Sequence, residues 1–366
     1  MNILMTTDTI GGVWNYSVEL SRQLGGLGVQ VFLATMGGRL SAAQRADASS
    51  IPNIKLCEST YKLCWMSEPW GEAAAAGRWL MKLAKEVNPE LVHLNDFAHG
   101  ILPWNCPVLM VGHSCVLSWF DAVRGQSAGN DWDRYREVVE DGLHAADWVI
   151  APTQAMLTQL QKHYGPLGHG EVIFNGADPE RYRPRTKQPY VLSAGRIWDE
   201  AKNFSVLMEA APRIHWPIAV AGDSLHPEGG EALVRHLKGL GRLSSLEMAE
   251  RYAEASIYVS AARYEPFGLS VLEAALSGCA LVLADIQTLH EVWGETALYV
   301  PLDDPIAVAG AVNHLIENPE HRQVWAGRAR AKALRLTSHR MAQAYHSRYR
   351  SLIEATPLKA VTRCAL

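Results

Sequence analysis

The stretch that most constrains this chain is Arg263-Tyr-Glu-Pro-Phe-Gly-Leu-Ser-Val-Leu-Glu-Ala-Ala-Leu-Ser-Gly-Cys279. Just before it, Ala255-Ser-Ile-Tyr-Val-Ser-Ala261 reads as a short buried strand. After Gly268, Leu269, Leu272, Ala275 and Leu276 recur at helical spacing until Gly278 stops the helix. Glu265 therefore sits on the turn, and Glu273 lies about two helical turns further on. Pro266 fixes the turn, and Gly268 lets the backbone come close to a ligand. The free amides of Phe267, Gly268, Leu269 and Ser270 then point at one spot, where the helix dipole favours negative charge. Amides and dipole hold phosphate, and carboxylates accept hydrogen bonds from sugar hydroxyls, so the combination suits a sugar nucleotide. For the two glutamates alone, a strand–turn–helix with both side chains solvated is the plainer alternative.

Further motifs follow the same strand–loop–helix logic. Tyr190-Val-Leu-Ser-Ala194 is a strand, followed by Gly195-Arg-Ile-Trp-Asp-Glu-Ala-Lys-Asn203 and a helix with Val206, Leu207 and Ala210 inward. Gly241 to Tyr252 begins with a serine cap, Ser244 or Ser245, in capping-box fashion. Glu171-Val-Ile-Phe-Asn-Gly-Ala-Asp-Pro-Glu-Arg-Tyr-Arg-Pro184 and Ala284-Asp-Ile-Gln-Thr-Leu-His-Glu-Val-Trp-Gly294 complete the run. These segments, with the Glu265 to Glu273 stretch, resemble the signatures of retaining glycosyltransferases of family 4. That is the glycogen-synthase-like group with a GT-B fold.

The resemblance implies two doubly wound, Rossmann-like α/β domains facing a cleft, with a C-terminal helix crossing back to the first. The second domain would hold the sugar nucleotide. Arg196 and Lys202, after Gly195, would neutralise the leaving diphosphate, Arg as a planar fork and Lys as a point charge. Glu265 would orient the sugar, Glu273 would clamp the ribose, and Arg242 and Leu243 are candidates for the base edge. The sequence departs from the family at Ala261-Ala262, where Pro-Ser is usual, so the serine contact made there is missing.

In the first half, Asn2-Ile-Leu-Met-Thr6 is a strand and Tyr16 to Leu24 a helix, with Asp8-Thr-Ile-Gly-Gly-Val-Trp14 between them. This is a phosphate-binding arrangement without the Gly-x-Gly-x-x-Gly spacing of dinucleotide folds. By resemblance, Gly11 and Gly12 would close over the donor phosphate; a tight turn needing positive φ is the alternative. Pro107 to Gly112 is a strand with His113 at its carboxyl end, where ligands of open α/β sheets collect. The family often has an active-centre histidine here. Asp96 and His99 face the same rim, as acceptor contacts or as structural polar residues. Eight of the twelve tryptophans lie in this half, among them Trp65, Trp70 and Trp79. Most belong in the core, with one or two left for an acceptor or a membrane surface. Asp131-Trp-Asp133 has a metal-binding spacing but leads into a polar helix, so it reads as an N-cap with solvated acids.

The chain of 366 residues accommodates two cores. The expected division is residues 1–180, 185–336, a crossing helix at 337–356 and a tail at 357–366, with a Pro- and Arg-rich linker reaching Pro189. Helices are expected at residues 306–316, 326–336 and 338–353, the last stopped by Pro357. Net charge is −4, which argues against a nucleic-acid partner. Residues 1–180 hold 12 Lys and Arg against 19 Asp and Glu, and the remainder 22 against 19, which fits a diphosphate site in the second half. No apolar run approaches the ~20 residues of a membrane span, and the start lacks a signal sequence. The six cysteines include no Cys-x-x-Cys pair and read as thiols of a reducing cytoplasm. Peripheral contact with the inner membrane face stays open.

The expected function is retaining transfer of a hexosyl group from a nucleotide diphosphate sugar, UDP-glucose-like first and GDP-linked second. The acceptor is a hydroxyl of a saccharide, glycolipid or small molecule, with no metal and no further cofactor. An epimerase-like sugar-nucleotide enzyme and a non-catalytic nucleotide-sugar-binding module are the alternatives.

Overall fold

The computed structural model describes residues 1–226 and 229–355. The expected tail, Pro357 as a helix stop and part of Ser224 to Gly230, which reads from the sequence as an irregular loop toward the nucleoside, lie outside the described residues. Two all-parallel sheets organise the rest. The first holds β1 (Asn2–Asp8), β2 (Gln30–Met36), β3 (Ile54–Cys57), β4 (Leu91–Leu94), β5 (Val108–Val111), β6 (Trp148–Ala151) and β7 (Gly170–Val172), in the order β3-β2-β1-β4-β5-β6-β7. The second holds β8 (Gln188–Ala194), β9 (Ile218–Ala221), β10 (Lys238–Gly241), β11 (Ala255–Ser260), β12 (Ala280–Ala284) and β13 (Leu298–Val300), in the order β10-β9-β8-β11-β12-β13.

Helices cover both faces of each sheet, so strands such as Leu91-Val-His-Leu94 and Ala280-Leu-Val-Leu-Ala284 are buried throughout and read as continuous runs. Strand order reverses between β1 and β4 in one sheet and between β8 and β11 in the other. Loops leaving the carboxyl ends of those four strands diverge there and open a crevice. They are the loops carrying Gly11, Asp96, Arg196 and Glu265.

The Ser338–Ala355 helix returns to the first domain. Met341, Ala342, Tyr345, Tyr349 and Leu352 form its apolar stripe and share a core with Ile3, Tyr16 and Leu20. Backbone pairing of Ala177 with Thr337 sets the crossing point. An added Cβ at Gly176 would run into the backbone of Thr337, so the strands of chain cross in direct contact. No helix among the described residues is long and apolar enough to cross a membrane.

Three local expectations need correction, and two elements went unread. The helix expected at 326–336 runs Pro319–Ala333, because Pro319 supplies a favourable first-turn residue. The linker ends earlier than Pro189, which is already in β8 near its start, where a missing N–H costs little. The two unread elements are β3 and the Ala42–Ser49 helix, and the helix carries little apolar patterning. The helix buries only Ala48 and is defined instead by a Ser41–Gln44 capping box. Asp131 lies in a 3₁₀ turn and Asp133 in the first turn of the Asp133–Ala145 helix, and the N-cap between them is Trp132, with no side-chain cap.

Candidate active site

On the second-domain side, the ends of β8 and β9 approach so closely that a Cβ on Gly222 would collide with the Gly195 carbonyl. Arg196 leaves this constriction and donates through Nε and Nη2 to Asp199 Oδ2 at 3.2 and 2.6 Å. Asp199 also accepts from the Ala201 amide, which opens the turn that presents Lys202. Lys202 Nζ meets Glu265 Oε2 at 2.7 Å, with side chains 18% and 15% exposed. The other oxygen, Glu265 Oε1, accepts from the Gly268 amide at 3.1 Å. This corrects one detail of the expected anion site: the Gly268 amide is already occupied by Glu265. Gly268 adopts φ 88°, which glycine tolerates, and caps the Leu269–Leu276 helix, whose own first amides stay without intrahelical partners. Phe267 is buried beneath the turn, and Ser270 Oγ accepts from Tyr258 at 2.8 Å.

Glu273 is half-buried one face further round that helix and accepts from the Tyr182 hydroxyl at 2.9 Å. Burial pushes its carboxyl up to about 7, with Tyr182 and Tyr252 pulling the other way. It lines a small cavity between the domains with Asn15, Asp178 and Arg181.

Facing this lattice is the first domain's glycine loop. Gly11 adopts φ 86° at the head of the Gly12–Gly25 helix, and a Cβ there would lie 2.9 Å from Arg196 Nη1. A Cβ on Gly12 would lie 3.8 Å from Leu269. The two glycines therefore press directly on the Arg196 and helix-mouth region. Asp8, at the end of β1, is raised to about 7 by burial, while the charge of Arg196 pulls it down.

His113 belongs to a chain of neutral groups. Its Nε2 lies 2.8 Å from Asn95 Oδ1, and its ring meets Tyr16 edge-on at 4.5 Å between centroids. His93 Nε2 approaches the same Oδ1 at 3.2 Å, and His93 Nδ1 lies 2.6 Å from the Tyr349 hydroxyl. The Asn95 amide orientation follows from its NH₂, which donates to the Thr6 carbonyl at 2.7 Å. Oδ1 can only accept, so both imidazoles carry hydrogen on Nε2 and Tyr349 donates to His93 Nδ1. His113 Nδ1 is thereby left as an acceptor. Burial holds both imidazoles down at about 3, and for His113 the neighbouring His93 adds to this.

Residues 10–181 match the family described as Glycosyltransferase Family 4, and residues 188–318 match Glycosyl transferases group 1. The chain belongs to the family-4-type glycosyltransferases. Glycogen synthase of Mycobacterium tuberculosis is 27% identical over 72% of this chain and 68% of its own. D-rhamnosyltransferase WbpZ of Pseudomonas aeruginosa is 22% identical over 89% and 88%. Among solved structures, sucrose-phosphate synthase from Thermosynechococcus elongatus superposes with TM-score 0.81 at 19% identity, covering 97% of this chain and 100% of that one. HepE of Anabaena in complex with UDP-glucose gives 0.77 at 18% identity, over 96% and 100%. These likenesses show the GT-B fold.

In this glycosyltransferase the remaining candidates stand apart from the lattice. Asp96 and His99 are turned on each other at 2.5 Å, and His99 Nε2 reaches the Ala73 carbonyl at 3.2 Å. Burial opposes the charge on His99, but the Asp96 carboxylate outweighs it and raises the imidazole above its ordinary value. Both ring nitrogens are thus spent on the protein. Arg242 and Leu243 follow edge strand β10, two strands out from β8.

Sequence reasoning missed Asp8, Asn95 and Glu291. Glu291 accepts from the Gln154 and Ala155 amides at 2.6 and 2.8 Å, so a second-domain acid caps a first-domain helix. Thr153 adds a second tie, donating to the Pro266 carbonyl at 3.0 Å. Asp8 and Glu291 were visible inside motifs already singled out. Asn95 carried no signal, because its partners lie far away in sequence.

Proposed function

We propose that this glycosyltransferase moves a hexosyl group from a nucleotide diphosphate sugar to an acceptor hydroxyl, with retention at the anomeric carbon. The observation that carries the reading is the Lys202–Glu265 pair at the mouth of the Leu269–Leu276 helix, beside Arg196 pressed against Gly11. Cations, open amides and a glycine loop converge on one point from both domains, which suits a diphosphate held in the crevice.

In this reading the bond from the anomeric carbon to the phosphate oxygen breaks, and its electron pair stays on the diphosphate. Arg196, Lys202 and the amides of Leu269 and Ser270 stabilise that charge as it develops. Glu265 supports the positive anomeric centre from beside Lys202. The acceptor oxygen bonds to the same face of the anomeric carbon, and its proton goes to the departing phosphate oxygen. His113 offers Nδ1 as an acceptor for a sugar hydroxyl, Glu273 faces the ribose, and Arg242 and Leu243 lie toward the base. A UDP-linked glucose or close relative is the favoured donor, supported by the UDP-glucose complex of the similarly folded HepE. A GDP-linked sugar is second.

The test is an array of UDP-, GDP- and ADP-sugars against saccharide, glycolipid and small-molecule acceptors, read by mass spectrometry and anomeric NMR. Transfer with retained configuration, at full rate in excess chelator, is expected. An inverted product would overturn the mechanism. Activity that vanishes in chelator and returns only with magnesium or manganese would overturn the metal-free reading.

A further inference from the structure

A cavity lined by none of the Arg196–Glu265 lattice residues lies on the first domain. It is a trough of about 630 Å³ along the Trp70–Val87 helix. Residues 70, 73, 74, 77, 78, 81, 82 and 85 of that helix line it. Their three- and four-residue spacing makes one continuous helical face, roughly 22 Å long from Trp70 to Lys85 at 1.5 Å per residue. The opposite face of the same helix, with Ala76 and Leu80, is in the core.

The trough has an apolar bed and a cationic border. Ala73, Ala74, Gly77, Met81, Leu102 and Val138 supply apolar lining. Ile101, 59% exposed, stands at its rim. Arg78, Lys82, Lys85 and Arg134 also line it, and no carboxylate is among the lining residues. That is a third of the 12 Lys and Arg in residues 1–180, a stretch with 19 acids. The cations are thus concentrated where the domain's overall charge would not put them. Their own neighbours hold them weakly. Lys82 approaches Glu86 at 3.8 Å with both side chains largely exposed, and Arg134 lies over the Trp70 ring at 4.7 Å.

We propose that this trough is a binding site for an acidic lipid of a membrane surface. The acyl chain would lie along Ala73, Ala74, Gly77, Met81 and Ile101, and the phosphate would sit among Arg78, Lys82 and Lys85. Charge complementarity selects an anion, and the bed selects the chain. An acidic peptide or a nucleic acid would bring backbone or base polar groups that a lining of Ala, Gly and Met leaves without partners. His99, the polar residue in the wall, has both ring nitrogens engaged with Asp96 and Ala73. The helix begins at Trp70 and leads into β4, so the Trp70 end lies at the carboxyl edge of the sheet. A membrane bound along the trough therefore meets the domain beside its crevice.

The experiment is vesicle flotation of the full chain without any sugar nucleotide, so its outcome is independent of the transferase reading. Vesicles of phosphatidylcholine alone are compared with vesicles containing phosphatidylglycerol. Binding to the acidic vesicles only, weakened by salt, is expected. Reversing Arg78, Lys82 and Lys85 to Glu should lower it at least tenfold, while reversals at Lys238, Arg328 and Arg335 in the second domain leave it unchanged. Met81→Gln with Ile101→Ser should lower it severalfold at constant charge. Circular dichroism and thermal melting of each variant report an intact fold. The proposal is overturned by absent binding, by equal binding to neutral vesicles, or by equal losses from both sets of reversals. It is also overturned if the Met81/Ile101 variant binds as tightly as the wild type, since the chain would then not enter the trough.

Discussion

The two walls of the crevice are built from opposite kinds of chemistry. On the second-domain wall, Arg196 and Lys202 are each matched by a carboxylate, Asp199 and Glu265, at 2.6 and 2.7 Å. On the first-domain wall, His113, Asn95, His93 and Tyr349 form a neutral chain whose imidazoles burial keeps uncharged. Ion pairs at a partly open mouth hold charge in place before a ligand arrives, so in the proposed reaction little reorganisation would remain when a diphosphate leaves. A neutral network cannot stabilise that charge, but it can fix a single tautomer and a single ring orientation. In the proposed reaction one wall would do electrostatic work and the other geometric work.

The largest effects are therefore expected on the charged wall. Lys202→Ala or Arg196→Ala should lower turnover about a hundredfold, the usual scale for removing one charge-stabilising group. Lys202→Ala carries a second consequence, because Glu265 would be left partly buried without its counter-ion. Its melting temperature should fall more than that of Arg196→Ala, whose Asp199 keeps the nearby charge of Lys202 as well as the Ala201 amide, where Glu265 keeps the Gly268 amide. Wild-type turnover in either folded variant would remove the electrostatic role from this wall.

The two glutamates should separate next. Glu265→Gln is expected to lower turnover with nucleotide affinity nearly kept, and Glu273→Gln to lower affinity for uridine diphosphate with turnover less affected. Glu273 adds a pH signature, since burial raises it from 4.5 to about 7. As an ionised acceptor for ribose hydroxyls it should strengthen nucleotide binding as pH rises from 6 to 8, and the Gln variant should be flat. The stability sign runs the other way. The folded state binds the proton more tightly than the unfolded chain, so stability falls as pH rises from about 4.5 to 7, and Glu273→Gln lacks that fall. Isothermal titration and melting curves across pH check both. If Glu265→Gln lost only affinity and Glu273→Gln only turnover, the two placements would be reversed.

The same contrast explains what was legible in the sequence. The charged wall is local: Arg196, Asp199 and Lys202 share one loop, and Glu265 and Gly268 share one turn. Each strand–loop–helix announced itself through apolar runs and glycine punctuation. What escaped is the bonding itself, Arg196 to Asp199, Lys202 to Glu265 and the Gly268 amide to Glu265, because a motif shows which groups are near and not which of them bond. The neutral wall is assembled across the chain. Asn95 joins His113, 18 residues away, and His93 joins Tyr349, 256 residues away, so no window of sequence contains the network. His113 could be placed by its position after β5, but not its tautomer. The Ala42–Ser49 helix went unread for a related reason: a short element held by a capping box has almost no periodicity to read.

Asn95→Asp tests the neutral wall directly, with a smaller expected effect. A carboxylate facing both imidazoles would favour their charged forms and raise them from about 3 toward the ordinary histidine range. Once protonated, His113 Nδ1 becomes a donor and ceases to accept from a sugar hydroxyl. Turnover should fall about tenfold at pH 6 and recover toward pH 8, whereas the wild type stays flat across that range. An unchanged profile in the Asp variant would show that the His113 tautomer is irrelevant to transfer.

The smallest effect is expected from Tyr349→Phe, at the far end of the chain of bonds. Phe keeps the packing of Tyr349 against Tyr345 and the first-domain core but removes the proton that the hydroxyl gives to His93 Nδ1. The buried nitrogen is left unpaired, which costs about 1–3 kcal/mol of stability. His93 can answer by no tautomer change, because moving its hydrogen to Nδ1 would face Asn95 Oδ1 with a second lone pair at Nε2. The melting temperature should therefore drop by a few degrees while turnover stays within about twofold, because the His113–Asn95 bond itself is untouched. The opposite result, a tenfold loss of turnover with an unchanged melting temperature, would break the comparison between the walls. It would mean that the crossing helix acts on His113 through Tyr349 and that the neutral wall transmits position as well as holding it.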